Sequence, residues 1–139
     1  DNLNLDTSTI AMATFASGDL LNYQQKYEEA IAKYDSVLIT FPGHTLSDEI
    51  YMIKAEIYTI LNNTDSAVQM YQKITTDWDY DILADDALYR LAKIYDNILA
   101  DKVKAMELYE KILLEHNSSI FVAESRKRFR KLRGDKLEE

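Results

Sequence analysis

The 139-residue sequence lacks cysteine and contains only one proline and three glycines. Without cysteine the chain can form no disulfide and has no thiol chemistry. So few turn residues exclude a many-stranded β protein, whose hairpins depend on glycine and proline. No run of 18 apolar residues is present, so the sequence predicts no membrane span. Segments rich in Ala, Leu, Glu, Lys and Gln instead favour α-helices.

The charge of the chain is negative and unevenly distributed. The net charge is −8, but residues 126–139 hold seven Lys or Arg against three Asp or Glu. The remaining part of the chain, 1–125, therefore carries a net charge of −12. An acidic body repels phosphates, so we predict that nucleic acid is not a partner.

A pattern of small and large residues recurs along the chain with a period of about 37–38 positions, within the range that repeat proteins use. Small residues, which let two helices cross closely, occupy six of these positions: Gly18, Ala55 and Ala92, then Ala30, Ala67 and Ala105. Large residues suited to the space between hairpins follow them: Leu21, Tyr58 and Tyr95, then Tyr34, Tyr71 and Tyr109. A fixed period of this length is typical of a solenoid, whose units bury their apolar faces against each other. Such folds present surfaces, so we predict neither enzymatic activity nor a cofactor.

The sequence predicts seven helices joined by short connections, within one domain. Their expected ranges are 7–23, 26–41, 47–61, 65–76, 83–98, 102–115 and 120–133. They form helical hairpins at about 8–42, 47–79 and 83–117 and a capping helix at about 120–133. Thr64 and Asp101 are predicted N-caps, because their side-chain oxygens can accept hydrogen bonds from amides of the first turn. Pro42-Gly43 and Gly134 are predicted helix stops.

This pattern resembles the tetratricopeptide repeat (TPR) family over about residues 8–134. The first unit matches the family's small, aromatic, alanine, aromatic and proline positions with Gly18, Leu21, Ala30, Tyr34 and Pro42. The chain departs from the family where Asp79 and Asn117 replace the later prolines, and its period is longer than the family's usual one. The resemblance implies an all-α fold, a TPR-like right-handed superhelical solenoid with three helix-turn-helix repeats and a C-terminal capping helix.

The resemblance also implies a binding surface, because the family's ligand contacts come mainly from the first helix of each repeat. Carried over repeat by repeat, the expected positions are Met12, Phe15, Asp19 and Asn22; Glu49, Met52, Ile53 and Glu56; and Asp86, Tyr89, Arg90 and Lys93. Mixed apolar and charged residues suit an extended peptide or a partner helix in a concave groove. The alternative is that Met52, Ile53 and Tyr89 pack between adjacent first helices. The carboxylate clamp of some relatives is not expected, because only Arg90 fits it.

Two patterns that could indicate a chemical site are incomplete. His44 and His116 lie in or beside connections, and neither has a Ser or Cys nucleophile nearby in the sequence. Four aspartates imitate the start of a calcium loop: Asp77, Asp79, Asp81 and Asp85. Such a loop needs glycine and glutamate where this chain has Ile82 and Leu88. We therefore predict no catalytic residue and no metal site.

The last predicted helix is basic, with six Arg or Lys between residues 126 and 133. Val122, Phe129 and Leu132 fall on one face of it and can cover the last hairpin. We predict first a solubilising cap, which a solenoid needs at its end. The alternative is a docking site for an acidic partner or an anionic lipid, formed by a basic cap of Lys127, Arg128 and Lys131.

The first predicted helix has no charged residue between Thr7 and Gly18 and is apolar on every side. A helix of this kind is normally buried on more than one face. We expect an upstream repeat of a longer protein to cover it or, failing that, self-association with a second copy. The sequence opens at Asp1, which favours an excised or processed piece of a longer protein.

The function predicted from these features is a non-enzymatic protein–protein interaction scaffold, whose concave groove binds a peptide or a partner helix. The alternative is an interaction or spacer module attached to a catalytic or envelope-assembly protein, with no groove ligand of its own. The long connections and the stretch from Glu107 to Leu113 are similar to TPR proteins of the bacterial envelope. That resemblance implies a periplasmic or exported bacterial location rather than a cytoplasmic one.

Overall fold

The computed structural model describes residues 2–78 and 82–135, with side chains described from residue 7 onward. Its helices are α1 (Asn2–Tyr23), α2 (Tyr27–Thr40), α3 (Ser47–Ile60), α4 (Thr64–Asp77), α5 (Ile82–Asn97), α6 (Lys102–Glu115) and α7 (Val122–Arg133). No strand occurs in the described ranges, and none of their helices has the length and hydropathy to cross a membrane. The predicted all-α class is confirmed.

The helices pair in chain order into three hairpins that stack in a row. α1 packs on α2, α3 on α4 and α5 on α6, and the connection within each hairpin is only a few residues long. The hairpins are joined by contacts of α2 with α3 and of α4 with α5. α7 packs on α6 in the place that the first helix of a fourth hairpin would take. The predicted helical-repeat solenoid with a terminal helix is therefore confirmed.

Small residues lie where the two helices of a hairpin cross, as the repeat period predicts. Ala55 and Ala92 have no exposed surface. At Gly18 an added Cβ would lie 2.9 Å from Cε1 of Tyr34, so the tyrosine ring fills the space that a side chain would need. Tyr34 and Tyr109 are themselves fully buried. Each hairpin is thus held by a large ring packed against a small residue of the facing helix.

Each hairpin turn contains a residue in the left-handed backbone region although no glycine is present there. Gln25, Asn62 and Ala100 have φ angles of 60°, 59° and 53°. Each follows the previous one by a single repeat period, so the turn recurs with the hairpins. In the first turn the amide of Lys26 donates to the carbonyl of Leu21 at 2.8 Å and closes the end of α1. Asparagine tolerates this conformation, whereas glutamine and alanine hold it against their preference.

The predicted helix ends are correct to within one residue except at two starts. α1 begins at residue 2 rather than 7, and α7 begins at residue 122 rather than 120. The prediction of Thr64 as an N-cap is wrong, because Asn63 caps α4 and accepts from the amide of Ser66 at 3.3 Å. The predicted N-cap at Asp101 is confirmed. Gly134 ends α7 with a left-handed φ of 97°, also as predicted.

α7 is attached to the last hairpin by apolar and charged contacts together. Phe129 and Leu132 pack against the core of the third hairpin, which confirms that this face of α7 covers it. The carboxylate of Asp96, 5% exposed, accepts hydrogen bonds from the Tyr109 hydroxyl at 3.0 Å and from Arg128 Nε at 2.9 Å. A second bond at 2.9 Å, from Arg128 Nη2, makes the pair bidentate. Charged bonds of this geometry are stronger than neutral ones and fix the orientation of α7.

Stability is expected to fall in alkaline solution because the fold buries tyrosine hydroxyls. The pKa of Tyr34 is raised by burial, by its hydrogen bond to Asp19 and by the negative charge of Asp19. The pKa of Tyr109 is raised by burial and by its hydrogen bond to Asp96. Above about pH 10 the unfolded chain loses these protons while the folded chain keeps them, so unfolding becomes more favourable. Urea unfolding should therefore give a free energy that is level between about pH 7 and pH 9 and falls above about pH 10. The Tyr34→Phe/Tyr109→Phe double variant should show a smaller fall, and an equal fall would contradict this explanation.

Candidate interaction surface

The first helices α1, α3 and α5 lie next to one another across the stack and continue into α7. Ile53 of α3 packs with Phe15 of α1 against the same core cluster. Arg90 of α5 lies 3.6 Å from Glu56 of α3. The twelve predicted positions on these helices, together with Lys127 and Lys131 of α7, are called the first-helix surface.

The α1 part of this surface is apolar at one end and acidic at the other. Met12 is 57% exposed. The ring of Phe15 is half-buried, with its centroid 5.7 Å from that of Tyr34. Asp19 is exposed and accepts a hydrogen bond from the Tyr34 hydroxyl, while Asn22 is half-buried. Phe15 thus presents one face outward and is supported from behind by a buried ring.

The α3 part of this surface is acidic. The prediction that all four of its residues are exposed is wrong for one of them. Met52 was expected to be exposed, but it is only 6% exposed and belongs to the core shared by the second and third hairpins. It faces α5, so the packing alternative holds for this residue. Ile53 is half-buried and Glu49 is exposed. The pKa of the half-buried Glu56 is raised, because the effect of burial exceeds the opposing effect of the positive charge of Arg90.

The α5 part brings four predicted residues and their neighbours together. Arg90 Nε donates to Asp86 Oδ1 at 2.8 Å, and its guanidinium faces Glu56 of the preceding hairpin. The half-buried ring of Tyr89 stacks on Phe121 with centroids 4.5 Å apart. Lys93 is exposed, and its Nζ lies 5.6 Å from the centroid of Tyr89, a cation–π distance.

The basic cap of α7 is reduced to two free lysines. Arg128 is held by the carboxylate of Asp96, so the prediction of Arg128 as a free docking cation is wrong. Lys127 and Lys131 are exposed. They follow Tyr89 and Lys93 of the α5 surface by one repeat period, which places them beside Arg128 on the side of α7 that faces α5. Burial and then the negative charge of Glu124 raise the pKa of Tyr89, which agrees with this orientation.

The surface therefore has a charge gradient from one end of the stack to the other. The exposed and half-buried acids at its first two helices are Asp19, Glu49 and Glu56. The exposed lysines at its last two helices are Lys93, Lys127 and Lys131. An extended ligand lying across the surface would meet a negative end and a positive end, which gives it a preferred direction.

Sequence reasoning missed two parts of this surface. Phe121, which stacks on Tyr89, lies in a connection, but it could have been found because it follows Leu83, and Leu83 follows Leu46, by one repeat period. A cavity of about 260 Å³ also opens between the second and third hairpins, lined by Thr59, Tyr71, Arg90, Lys93, Ile94, Asn97 and Ile98. Thr59 could have been found, because it follows Asn22 by one repeat period. The cavity itself depends on how two hairpins meet and has no sequence signal.

The remaining candidates for chemistry are placed as follows. Within residues 2–78 and 82–135 no group of three or more His, Asp or Glu residues is placed to hold a metal ion. Asp79 and Asp81 of the calcium-like segment lie outside these ranges. His44 Nδ1 accepts from the amide of Leu46 at 3.1 Å and so helps to order the connection between α2 and α3.

Comparisons with known proteins agree with this architecture. Residues 86–119, which cover most of α5, all of α6 and part of the following connection, match the family model of the tetratricopeptide repeat. The structure is similar to the N-terminal domain of stress-induced protein-1 (STI-1) from C. elegans, with a TM-score of 0.73 and 20% sequence identity. The similarity covers 91% of this chain and 97% of that chain. No curated protein sequence matches the chain.

Proposed function

We propose that this chain, a member of the tetratricopeptide repeat family, is a non-enzymatic scaffold that binds an extended peptide or a partner helix along its first-helix surface. Repeats of this family are non-catalytic interaction modules, which supports protein as the kind of partner. A solenoid of helical hairpins offers such a ligand a long continuous surface. The competing hypothesis is a spacer with no ligand on this surface.

The observation that carries the proposal is a pair of supported, half-buried rings on two different helices of the surface, α1 and α5. Phe15 is supported by the buried Tyr34, and Tyr89 is supported by its stack with Phe121. Because these contacts already fix the two rings, a ligand that covers them loses little side-chain entropy. Aromatic residues held in this way are the usual anchors of protein interfaces.

The charge gradient specifies the partner further. An acidic segment is expected over the C-terminal end, where Lys93, Lys127 and Lys131 have no carboxylate within ion-pair distance among the described residues. The other arginines of this region, Arg90 and Arg128, are held by Asp86 and Asp96. The three lysines are therefore free to pair with acidic groups of a ligand.

A peptide selected from a random library on the wild-type chain is the probe that tests the proposal. The Phe15→Ser/Tyr89→Ser variant should bind the selected peptide at least about tenfold more weakly, since each anchor contributes on the order of 1 kcal/mol or more. The control is Ile39→Ser/Leu114→Ser, at residues 79% and 72% exposed on second helices, which should bind normally. Fluorescence anisotropy measures binding, and circular dichroism confirms that each variant is folded.

The same peptide tests the charge gradient. The selected peptide should contain an acidic segment, and it should bind the Lys127→Glu/Lys131→Glu variant more weakly than the wild-type chain. The matched control is Arg126→Glu/Arg130→Glu, which makes the same change in net charge about 100° around α7 from the two lysines. If no peptide is selected, or if the Phe15→Ser/Tyr89→Ser variant binds as tightly as wild type, the spacer hypothesis is favoured. If both charge variants lose affinity equally, only the general charge of α7 matters.

Two further parts of the proposal rest on separate grounds. Self-association through α1 is proposed because no charged residue occurs from Thr7 to Gly18 and several of the apolar residues there are exposed. A periplasmic or exported location is proposed from the resemblance of the connections to bacterial envelope proteins.

A further inference from the structure

The junction between the third hairpin and α7 shows how this fold holds a carboxylate. The side chain of Asp96 is 5% exposed and accepts hydrogen bonds from the Tyr109 hydroxyl and from Nε and Nη2 of Arg128. The acid comes from α5, the hydroxyl from α6 and the guanidinium from α7, the next helix along the stack. A hydroxyl and a guanidinium together satisfy a carboxylate buried at such a junction.

The preceding junction, between the second and third hairpins, has the same hydroxyl and guanidinium but a different third residue. Tyr71 and Arg90 each lie 38 residues before their counterparts in the last junction. The place of Asp96 is taken by Thr59, 37 residues earlier and likewise the next-to-last residue of its helix. Thr59 is uncharged, and its hydroxyl donates to the carbonyl of Ala55 at 2.8 Å. The position that holds the carboxylate in one junction therefore has none in the other.

The cavity of about 260 Å³ between these two hairpins lies at this position. Tyr71, Arg90 and Thr59 line it, and the Tyr71 hydroxyl is within hydrogen-bonding reach of the other two side chains. Lys93 adds a second cation, and no acidic residue of the described ranges lines the cavity. The space is far larger than one water molecule needs, so a carboxylate group has room there. The charge of the lining is complementary to that group.

Arg90 keeps hydrogen-bond donors for a further carboxylate. Its Nε is bonded to Asp86 Oδ1 at 2.8 Å, and its Nη1 lies 3.6 Å from Glu56, beyond hydrogen-bond length. A guanidinium has five N–H groups, so more than one remains for the cavity. At the junction between the first two hairpins, Ile53 takes the place of Arg90, 37 residues earlier, so that position carries no charge.

We propose that this cavity binds the carboxylate of an aspartate or glutamate side chain of the peptide that lies along the first-helix surface. The inference rests on the proposed function, which supplies the peptide. Arg90 and Lys93 provide the positive charge, and Tyr71 provides the buried hydroxyl. The carboxylate comes from a side chain rather than from the end of the peptide, because Arg90 alone fits the carboxylate clamp of some relatives. Since the cavity admits one side chain, it fixes the register of the peptide.

Thr59→Asp tests the cavity without any peptide, because it places a carboxylate of the chain itself where Asp96 lies in the last junction. The matched control is Asn22→Asp, at the same repeat position and also next to last in its helix, where Ile53 stands in place of an arginine. Relative to wild type, Thr59→Asp should shift the midpoint of urea unfolding to a higher concentration than Asn22→Asp does. Equal midpoints, or a lower one for Thr59→Asp, would show that the cavity does not hold a carboxylate.

The peptide selected on the wild-type chain tests the contact itself, with fluorescence anisotropy as the measurement. Replacing one of its acidic residues by the corresponding amide should weaken binding at least about tenfold, because hydrogen bonds to a charged group are lost. Thr59→Asp should weaken binding of the original peptide by a similar factor and leave binding of the amide peptide unchanged, since its own carboxylate fills the cavity. Ile39→Asp adds the same charge at a residue 79% exposed on α2 and should bind both peptides as wild type does.

The remaining outcomes separate this inference from the proposed function. Amidation of the C-terminus of the peptide should leave its affinity unchanged, and a tenfold loss on amidation would mean that the chain end occupies the cavity instead. A Thr59→Asp variant that binds the original peptide as tightly as wild type would overturn the proposal while the scaffold function stands. If no peptide is selected, the scaffold function fails, and the urea midpoints of Thr59→Asp and Asn22→Asp still decide whether the cavity accepts a carboxylate.

Discussion

Replacing Tyr34 by alanine is expected to lower the free energy of unfolding by about 3–5 kcal/mol. The ring is fully buried between α1 and α2 and touches the Phe15 ring. It also fills the space in front of Gly18, where no side chain is present to relax into the cavity. Because the cost of a large-to-small change depends on how well the site can collapse, the loss should lie in the upper part of this range.

Two variants separate the causes of that loss in urea unfolding. Tyr34→Phe keeps the ring and removes the hydroxyl that donates to Asp19, so it should cost only about 1 kcal/mol. Tyr23→Ala removes a ring that is 86% exposed and should change the free energy by less than about 0.5 kcal/mol in dilute solution. A Tyr34→Ala loss no larger than that of Tyr34→Phe would show that ring packing at Gly18 is not what holds the first hairpin.

Replacing Asp96 by alanine is expected to cost about 2–4 kcal/mol and to detach α7 from the last hairpin. The carboxylate accepts hydrogen bonds from Tyr109 and, at two atoms, from Arg128. Its loss leaves a buried hydroxyl and a largely covered guanidinium without their acceptor, which costs more than the net value of the bonds themselves. Faster proteolysis within α7 should accompany the lower free energy of unfolding.

The matched control is Asp86→Ala, which also removes an arginine partner. Asp86 pairs with Arg90 in a more exposed setting, where the two side chains are 29% and 43% exposed. Surface pairs of this kind contribute about 0–1 kcal/mol, so Asp86→Ala should be nearly neutral. Equal effects of the two substitutions would mean that the burial of Asp96 does not matter to the attachment of α7.

The helices, their order and their hairpin pairing could be predicted from the sequence. Ala55 and Ala92 mark helix crossings whatever residues surround them, since only a small side chain lets two backbones approach. The tyrosines at the matching positions of the second helices are large enough to fill the space between. Each of these features repeats within one period, so three copies of the pattern confirm one another.

Several side-chain positions could not be predicted, because they depend on how one helix is rotated against the next. Met52 occupies the same repeat position as the half-buried Phe15 and Tyr89, yet it is buried in the core beside Ala87 and Leu91 of the third hairpin. The sequence predicts a free cation at Arg128, but Arg128 pairs with Asp96 of α5, which lies far back along the chain. The turn residues Gln25 and Ala100 also gave no signal, since neither favours a left-handed backbone. The protein partner, the cellular compartment and self-association of the chain stay predictions.

The repeating unit of this protein follows from its residues alone, because the burial of a helix face and the closeness of a crossing depend on residues within that unit. Which charges are satisfied and which are free depends on the packing of the hairpins. Pairing of Asp35 with Lys54, and of Asp96 with Arg128, joins neighbouring elements across the stack and leaves Lys93, Lys127 and Lys131 as the free cations of the first-helix surface, among the residues described. The physical reason is that the burial of apolar residues follows the local helical period. An ion pair instead depends on the distance between two atoms that separate helices bring together.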